Sequence, residues 1–422
     1  MRVTKEPGSI QDGASITLAL PLLGPLKIPW LLIHRDYRES EQFCDEQVSG
    51  PFRSWKHTHS FIPLGPSSCL MRDSILFELP RGTSFLAPLF ERELRRLFYF
   101  RHAVLKNDLS LHSRFKSTAR KTILISGSSG FIGTALCAFL STAGHTVIRL
   151  VRAAPSAANE RSWDPERGEL DPAVFDGVDV VIHLGGEGLL SKRWTAEFKE
   201  RIVSSRVKSS FLLCHAISNL PRKPEVVLMA SATGFYGDTG DTITDELSPA
   251  GSGFLAETSH AWELSASRAL NDTTRLVSLR IGTVLNPRGG ALKEMLPVFK
   301  LGAGGPLGSG KQFVSWIALQ DLLGIIEHSI FTQSVRGPIN VVAPEPVRNR
   351  EFAIALGRAL RRPAFIPTPA PLLRLMFGEV ADAALLSSCR VVPTKALESG
   401  YVFQFADLLD AIRFECGISP GS

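Results

Sequence analysis

Residues 123–133 read ILISGSSGFIG. An apolar run opens onto three glycines, Gly127, Gly130 and Gly133, at three-residue spacing, and the apolar pattern then resumes. This arrangement suits nucleotide phosphates. The first glycine permits a tight turn after a strand, the second lets the backbone approach a pyrophosphate, and the third lets the next helix pack on the sheet. Ser128, Ser129, Phe131 and Ile132 complete the loop, and the unpaired N–H groups of the helix N-terminus point toward the anion. About 20 residues further on, an NAD site carries an acid for the ribose 2′-hydroxyl. This chain has LVRAA there, with Arg152 and no carboxylate. A guanidinium suits a 2′-phosphate by charge and by bidentate geometry, so the expected cofactor is NADP.

The elements needed to hold such a loop are legible around it. TILIS, HTVIRLVR, DVVIHLGG, EVVLMASA and RLVSLRIGTVL read as continuous apolar strands. Between them, residues 133–143, TAEFKERIVSSRVKSSFLLCHAI and AETSHAWELSASRAL read as helices. Strands without polar alternation, separated by helices, predict an α/β fold: a doubly wound Rossmann-type parallel sheet covered on both faces. From about Pro287 the chain is rich in Pro and Gly with short helices. That texture predicts a smaller lobe over the carboxyl ends of the strands, where open α/β sheets bind ligands. Upstream of a basic stretch, RFKSTARK at residues 114–121, the texture differs. PWLLIHRDY, QFCDEQVSG, SWKHTHSFIPL and SCLMRDSILFELP are strand-like runs, and a long amphipathic helix follows them. A curled sheet around one helix is the expected α+β arrangement.

Composition narrows the function classes. The 422 residues suit two or three domains. Lys and Arg exceed the acids by 47 to 41, a net charge of +6 spread along the chain. That balance favours small anions over nucleic acid. Six cysteines without a C-x-x-C pair argue against disulfides and zinc, so no metal is expected and a reducing, cytoplasmic compartment is. The apolar stretch 16–33 is broken by three prolines and Lys27, which reads as strands and a turn rather than a membrane span.

ILISGSSGFIGTAL, VIHLGGEGLLSKRW, SSRVKSS, SATGFYGD, FLAETSHAWE and LPVFKLGAGGPLGSGKQFVSWIALQDL together resemble an atypical short-chain dehydrogenase/reductase. Within that superfamily the chain is similar to the epimerase family proteins related to sugar-nucleotide epimerases and dehydratases. IPTPAPLLRLMFGEVADAALLSSCRVVPTKALESGYVF resembles the small domain of unknown function that ends them, and DEQVSGPFRSWKHTHSF resembles a START-like, polyketide-cyclase-like helix-grip domain. The implied organisation is a helix-grip domain over residues 1–115, truncated at its start, an NAD(P)-binding Rossmann domain over 121–285, and a substrate lobe with the C-terminal domain over 286–415. The resemblance places Val151 and Arg152 at the adenosine ribose, and Leu184 and Gly185 beside adenine and ribose, followed by Glu187. It puts Arg206 where extended members carry an Asn, and Val284 near the nicotinamide. A homodimer acting on a sugar-like or anionic small molecule, without nucleic acid or membrane, is the implied setting.

Superfamily members ordinarily use a Tyr-x-x-x-Lys pair, in which the lysine lowers the tyrosine pKa for proton exchange. The four tyrosines, Tyr37, Tyr99, Tyr236 and Tyr401, are followed four positions on by Glu41, Ala103, Gly240 and Phe405. The pair is absent. MASATGFYGD matches the substrate-facing serine of sugar-nucleotide epimerases at Ser231. Tyr236 reads equally as a proton donor or as an aromatic packed at a strand end, while Glu257 and His260 read better as solvated helix residues. GGPLGSGKQFVSWI, with Lys311 and Trp316, reads as a cover over the substrate or as a surface loop. Two functions stay open: an NADP-dependent oxidoreductase or epimerase with an unusual proton donor, and a non-catalytic NADP(H)-binding regulatory or ligand-binding protein.

Overall fold

The computed structural model describes residues 2–5, 9–21, 27–66, 68–115, 117–189, 191–271 and 273–418. Two compact units divide the chain, Met1–Leu97 and Phe98–Ser422. In the first, β1 (Arg2–Lys5), β2 (Ser15–Pro21), β3 (Lys27–Arg38), β4 (Gln42–Ser49), β5 (Ser54–Gly65) and β6 (Ser68–Glu78) form an antiparallel meander in sequence order. Successive side chains of a strand face opposite ways. Trp30 and Leu32 on β3, and Trp55 on β5, therefore share one face, where they bury with Leu18 and Phe52. Helix α1 (Ala87–His112) begins against this face, Phe90 and Leu94 reaching Phe52, Phe77 and their neighbours. The division between units falls inside α1, upstream of the boundary expected at residues 114–121. The end of α1 belongs to the second unit, where Leu111 is core and His112 Nδ1 lies 2.7 Å from Glu327 Oε1.

The second unit is a three-layer α/β structure. Its first half comprises β7 (Thr122–Ser126), α2 (Phe131–Thr142), β8 (Thr146–Val151), β9 (Glu160–Ser162), β10 (Val180–His183), α3 (Ala196–Ser218), β11 (Val226–Ala232), β12 (Ile243–Thr244) and α4 (Phe254–Ala269). Then follow β13 (Arg275–Ile281), β14 (Thr283–Leu285), α5 (Gly290–Lys300), β15 (Phe313–Val314), β16 (Trp316–Ala318), α6 (Leu319–Phe331) and β17 (Gly337–Val341). Seven parallel strands run β17-β13-β11-β10-β7-β8-β9, with the order reversing between β7 and β10. Both faces are apolar by alternation. Ile123, Ile125, Val180 and Ile182 pack under α2 and α6, while Leu124, Val181, Val227 and Met229 pack under α3 and α4. The buried Arg275 guanidinium donates to the carbonyls of Ser329, Ile330 and Val335, closing the end of α6.

Two features depart from the sequence expectation. RLVSLRIGTVL is two strands, because Gly282 passes so close to Ser315 O (2.6 Å from a Cβ built there) that β14 turns away to pair with β16. The seventh strand, GPINV, comes from the stretch assigned to the lobe; five residues opened by Gly and Pro carry too little pattern to be recognised alone. Beyond β17 lie β18 (Val347–Arg348), α7 (Asn349–Leu360), α8 (Ala370–Phe377), β19 (Arg390–Val391), α9 (Thr394–Glu398) and α10 (Leu408–Glu415). The strand β19 pairs with β12, and β18 with β15. Cys44, Cys69, Cys137, Cys214 and Cys389 form no disulfide. Among the described residues no helix is long and apolar enough to cross a membrane.

Candidate active site

The glycine loop lies at the reversal point of the sheet, between the carboxyl ends of β7 and β10. Gly127 has φ +71°, and a Cβ on it would sit 2.7 Å from the carbonyl carbon of Leu184. A Cβ on Gly133 would sit 2.2 Å from Gly127 O. These two contacts are why glycine is required there, and they seat the chain after β10 directly on the loop. Beneath it, Ser126 Oγ bonds His183 Nδ1, and His183 Nε2 lies 2.9 Å from Ser209 Oγ on α3. Burial pushes the imidazole down to about 4, with the Arg206 charge adding to the effect, so His183 is neutral at neutral pH. Ser128 is buried and Ser129 exposed, and Phe131 and Ile132 open α2 with Gly130 as its N-cap.

The remaining cofactor candidates fall into three groups. Val151 ends β8 half-buried and Arg152 follows it exposed, forming no ion pair among the described residues. Sequence reading missed Arg149, two positions before Val151. Its Nε lies 3.3 Å from Ser128 Oγ in the glycine loop, and its Nη1 lies 2.8 Å from Glu160 Oε1 on β9. Glu187 and Arg206 are brought together. Arg206 Nη2 donates to Glu187 O at 2.9 Å, its guanidinium lies 5.1 Å from the Trp262 ring centre, and Arg201 holds the Glu187 carboxylate at 3.2 Å. Burial pulls Arg206 down to about 10, against the nearby Glu187, and it remains a cation. Val284 is buried on β14. Gly290 has Val284 O and the Phe131 ring as neighbours, which brings the 284–290 segment to the glycine loop.

Ser231 and Tyr236 belong to one buried polar row. Ser231 on β11, Arg280 on β13 and Asn340 on β17 are register partners, so their side chains share a face. Ser231 Oγ donates to Glu263 Oε1 at 2.6 Å. Arg280 binds Glu263 through two contacts, Nε to Oε1 at 2.9 Å and Nη2 to Oε2 at 2.8 Å. Arg280 Nη1 donates to the Tyr236 hydroxyl at 2.9 Å, which in turn donates to Asn340 Oδ1 at 2.6 Å. Asn340 N donates to Glu246 Oε1, and Asn340 Nδ2 to Val392 O. Burial pushes the Tyr236 phenol up to about 12, with Arg280 and its two hydrogen bonds opposing. Its side chain is 3% exposed and its hydroxyl is engaged on both sides. Glu263, Arg280 and Asn340 carry no sequence signal, since only strand register reveals the row.

Glu257 and His260 are exposed on α4. Trp316 is core, 1% exposed, with its indole N–H on Glu345 O, so it covers no substrate. Lys311 stays exposed beside it in sequence.

Residues 123–334 match the NAD dependent epimerase/dehydratase family, and residues 368–415 match a domain of unknown function, DUF1731. An epimerase family protein of Mycobacterium bovis, Mb2239, is 39% identical over 296 residues, 70% of this chain and 98% of that protein. The human epimerase family protein SDR39U1, solved with NADPH, superposes with a TM-score of 0.64 at 36% identity, over 69% of this chain and 98% of that one. A nucleoside-diphosphate sugar epimerase of Corynebacterium glutamicum superposes at 0.78 with 31% identity, over 98% of this chain and 82% of that one.

Proposed function

The chain belongs to the NAD-dependent epimerase/dehydratase family, and from that premise we propose that it binds NADP(H) and uses it on the carbonyl or carbinol of a sugar-like or anionic small molecule. The observation that carries this reading is the glycine loop seated on the chain after β10, at the one point of the sheet where two strand ends diverge. The human relative bound to NADPH supports the choice of cofactor. Gly127 to Gly133 would hold the pyrophosphate, Arg152 the 2′-phosphate, Leu184 and Gly185 the adenine and ribose side, and Val284 the nicotinamide side. Glu187 and Arg206 brace the segment after β10. When bound, the nicotinamide supplies or accepts hydride.

Ser231 is the hydroxyl we assign to the substrate oxygen; its proton rests on Glu263, itself held by Arg280, and must swing from that carboxylate to the substrate to polarise it. Tyr236 donates its proton to Asn340 and serves as a positioning residue in this scheme. The N-terminal sheet and helix support the START-like assignment, as a module joined to the reductase.

A second reading, NADP(H) binding without turnover, is favoured by the closure of the Tyr236 hydroxyl. One series separates the readings. Arg152→Ala is expected to weaken NADPH binding about tenfold while leaving NADH unchanged, because a charge-assisted contact is lost. Equal affinity of the unaltered protein for both cofactors overturns the NADP assignment. In a carbonyl screen followed by NADPH absorbance, Ser231→Ala is expected to lower turnover about 100-fold. An unaffected rate removes Ser231 from the chemistry, and no turnover with any carbonyl establishes the second reading.

A further inference from the structure

The N-terminal sheet holds a second buried polar cluster, outside the nucleotide site. His34, Asp45 and His57 are register partners across β3, β4 and β5, and Phe43, His59 and Asp73 form the adjacent row across β4, β5 and β6. The three histidines are 4–5% exposed, on the face that carries Trp30 and Trp55. His59 Nε2 and His57 Nδ1 lie 3.3 and 3.9 Å from Asp45 Oδ2. One donor atom from each of Asp45, His57 and His59 falls within 4.8 Å of the other two. His34 Nδ1 is 2.7 Å from Asp45 Oδ1 but off hydrogen-bond alignment, and neither nitrogen of His34 has a hydrogen-bond partner among the described residues.

We propose that Asp45, His57 and His59 bind one zinc-type divalent cation, with solvent or a small ligand completing its coordination. Two imidazole nitrogens and a carboxylate, with a fourth position open, are a donor set that zinc takes, at about 2 Å each. Donors at that range lie about 3.3 Å from one another, close to the separations here. Charge balance points the same way. The His57 and His59 rings are 3.8 Å apart, and each lies between two carboxylates, Asp45 on one side and Asp73 on the other. Satisfying all four contacts with protons would require two imidazolium cations stacked in a buried site. A divalent cation at the Asp45 end leaves both rings neutral and balances the two carboxylates.

Asp73 then takes the supporting position. Its Oδ1 is 2.8 Å from His57 Nε2, in hydrogen-bond geometry, and 2.8 Å from His59 Nδ1. A carboxylate behind a ligating imidazole fixes its tautomer and raises its basicity. A cavity of about 580 Å³ lined by Tyr37, Phe43, Phe61 and Cys69 neighbours the cluster, with the Phe43 ring stacked on His59 at 4.3 Å.

The test uses the full-length chain, freed of metal by chelation and titrated calorimetrically with zinc chloride and separately with cobalt(II). One equivalent of zinc is expected, with the intense visible bands of a tetrahedral cobalt complex. Asp73→Asn is expected to weaken zinc about 10–100-fold, and His57→Gln with His59→Gln to abolish the stoichiometric site. Absence of stoichiometric zinc binding to the unaltered chain overturns the proposal. So does zinc affinity unchanged in the double variant, or a weak octahedral cobalt spectrum. Should the double variant fail to fold, zinc-induced shifts of the His57 and His59 imidazole resonances in the unaltered chain decide. Unshifted resonances refute the site.

Discussion

Two buried polar rows in this molecule are built by the same device and end differently. Both arise where strand register stacks polar side chains on one face of a sheet. The row of Ser231, Arg280 and Asn340 crosses parallel strands, and its hydroxyl, guanidinium and amide groups donate to or accept from neighbours in a chain closed by Glu263 and Tyr236. The row of His34, Asp45 and His57 crosses antiparallel strands, and its imidazoles crowd a carboxylate that cannot satisfy them all. A closed row stabilises a shape, since buried polar groups that are fully paired hold one arrangement. An open row is built to receive something.

That contrast breaks most sharply at Arg280. Arg280→Met leaves the half-buried Glu263 carboxylate and Ser231 without their cation; removing one partner of a buried pair costs about 3–5 kcal/mol, and the partial exposure of Glu263 places this loss toward about 3. Denaturant midpoints of the second unit would show it; a change within about 1 kcal/mol means the row is not closed by that pair.

The next effect is acid-dependent. His183, neutral and enclosed by Ser126 and Ser209, has its pKa lowered from 6.5 to about 4, and burial is the main cause. Unfolding lets it bind a proton below about pH 6.5. Its contribution, on the order of 3 kcal/mol, is therefore present above that pH and lost as pH falls toward about 4. Unfolding midpoints measured from pH ~7 to ~4 should fall more steeply for the unaltered chain than for His183→Gln. Parallel curves would remove His183 as the origin.

The smallest effect tests the open row itself. His34 is buried with neither nitrogen hydrogen-bonded, so replacing it by an apolar ring of similar size recovers a desolvation penalty. In metal-free protein, His34→Phe is expected to change stability by about 1 kcal/mol or less. A loss comparable to that of Arg280→Met would mean the two rows are energetically alike.

What sequence discloses here divides along the same line. The glycine loop, the alternation of strands and helices from β7 to β13, and the long helix after the meander are local patterns, and each is found where the pattern places it. Arg149 lies inside β8, where a charged residue in an apolar strand carries no signal of the Ser128 and Glu160 it reaches. Glu263, Arg280 and Asn340 come from three separate elements and meet only through register. His57 and His59, two apart in SWKHTHSFIPL, already signal one face of a strand. Asp45, His34 and Asp73 join them only when four strands align. A lone Gly-Pro-opened strand such as β17 is equally silent until its neighbour β13 is known.

Strand β17 has a consequence in time. The ribosome releases β13 well before Gly337–Val341, with α6 between them. Until the last of these emerges, β13 presents unpaired backbone to solvent or any nearby nascent chain, and such an edge invites wrong partners. The Asn340 that closes the polar row arrives with the same strand. Completion of the sheet edge and locking of the site are thus a single late event in the birth of the molecule.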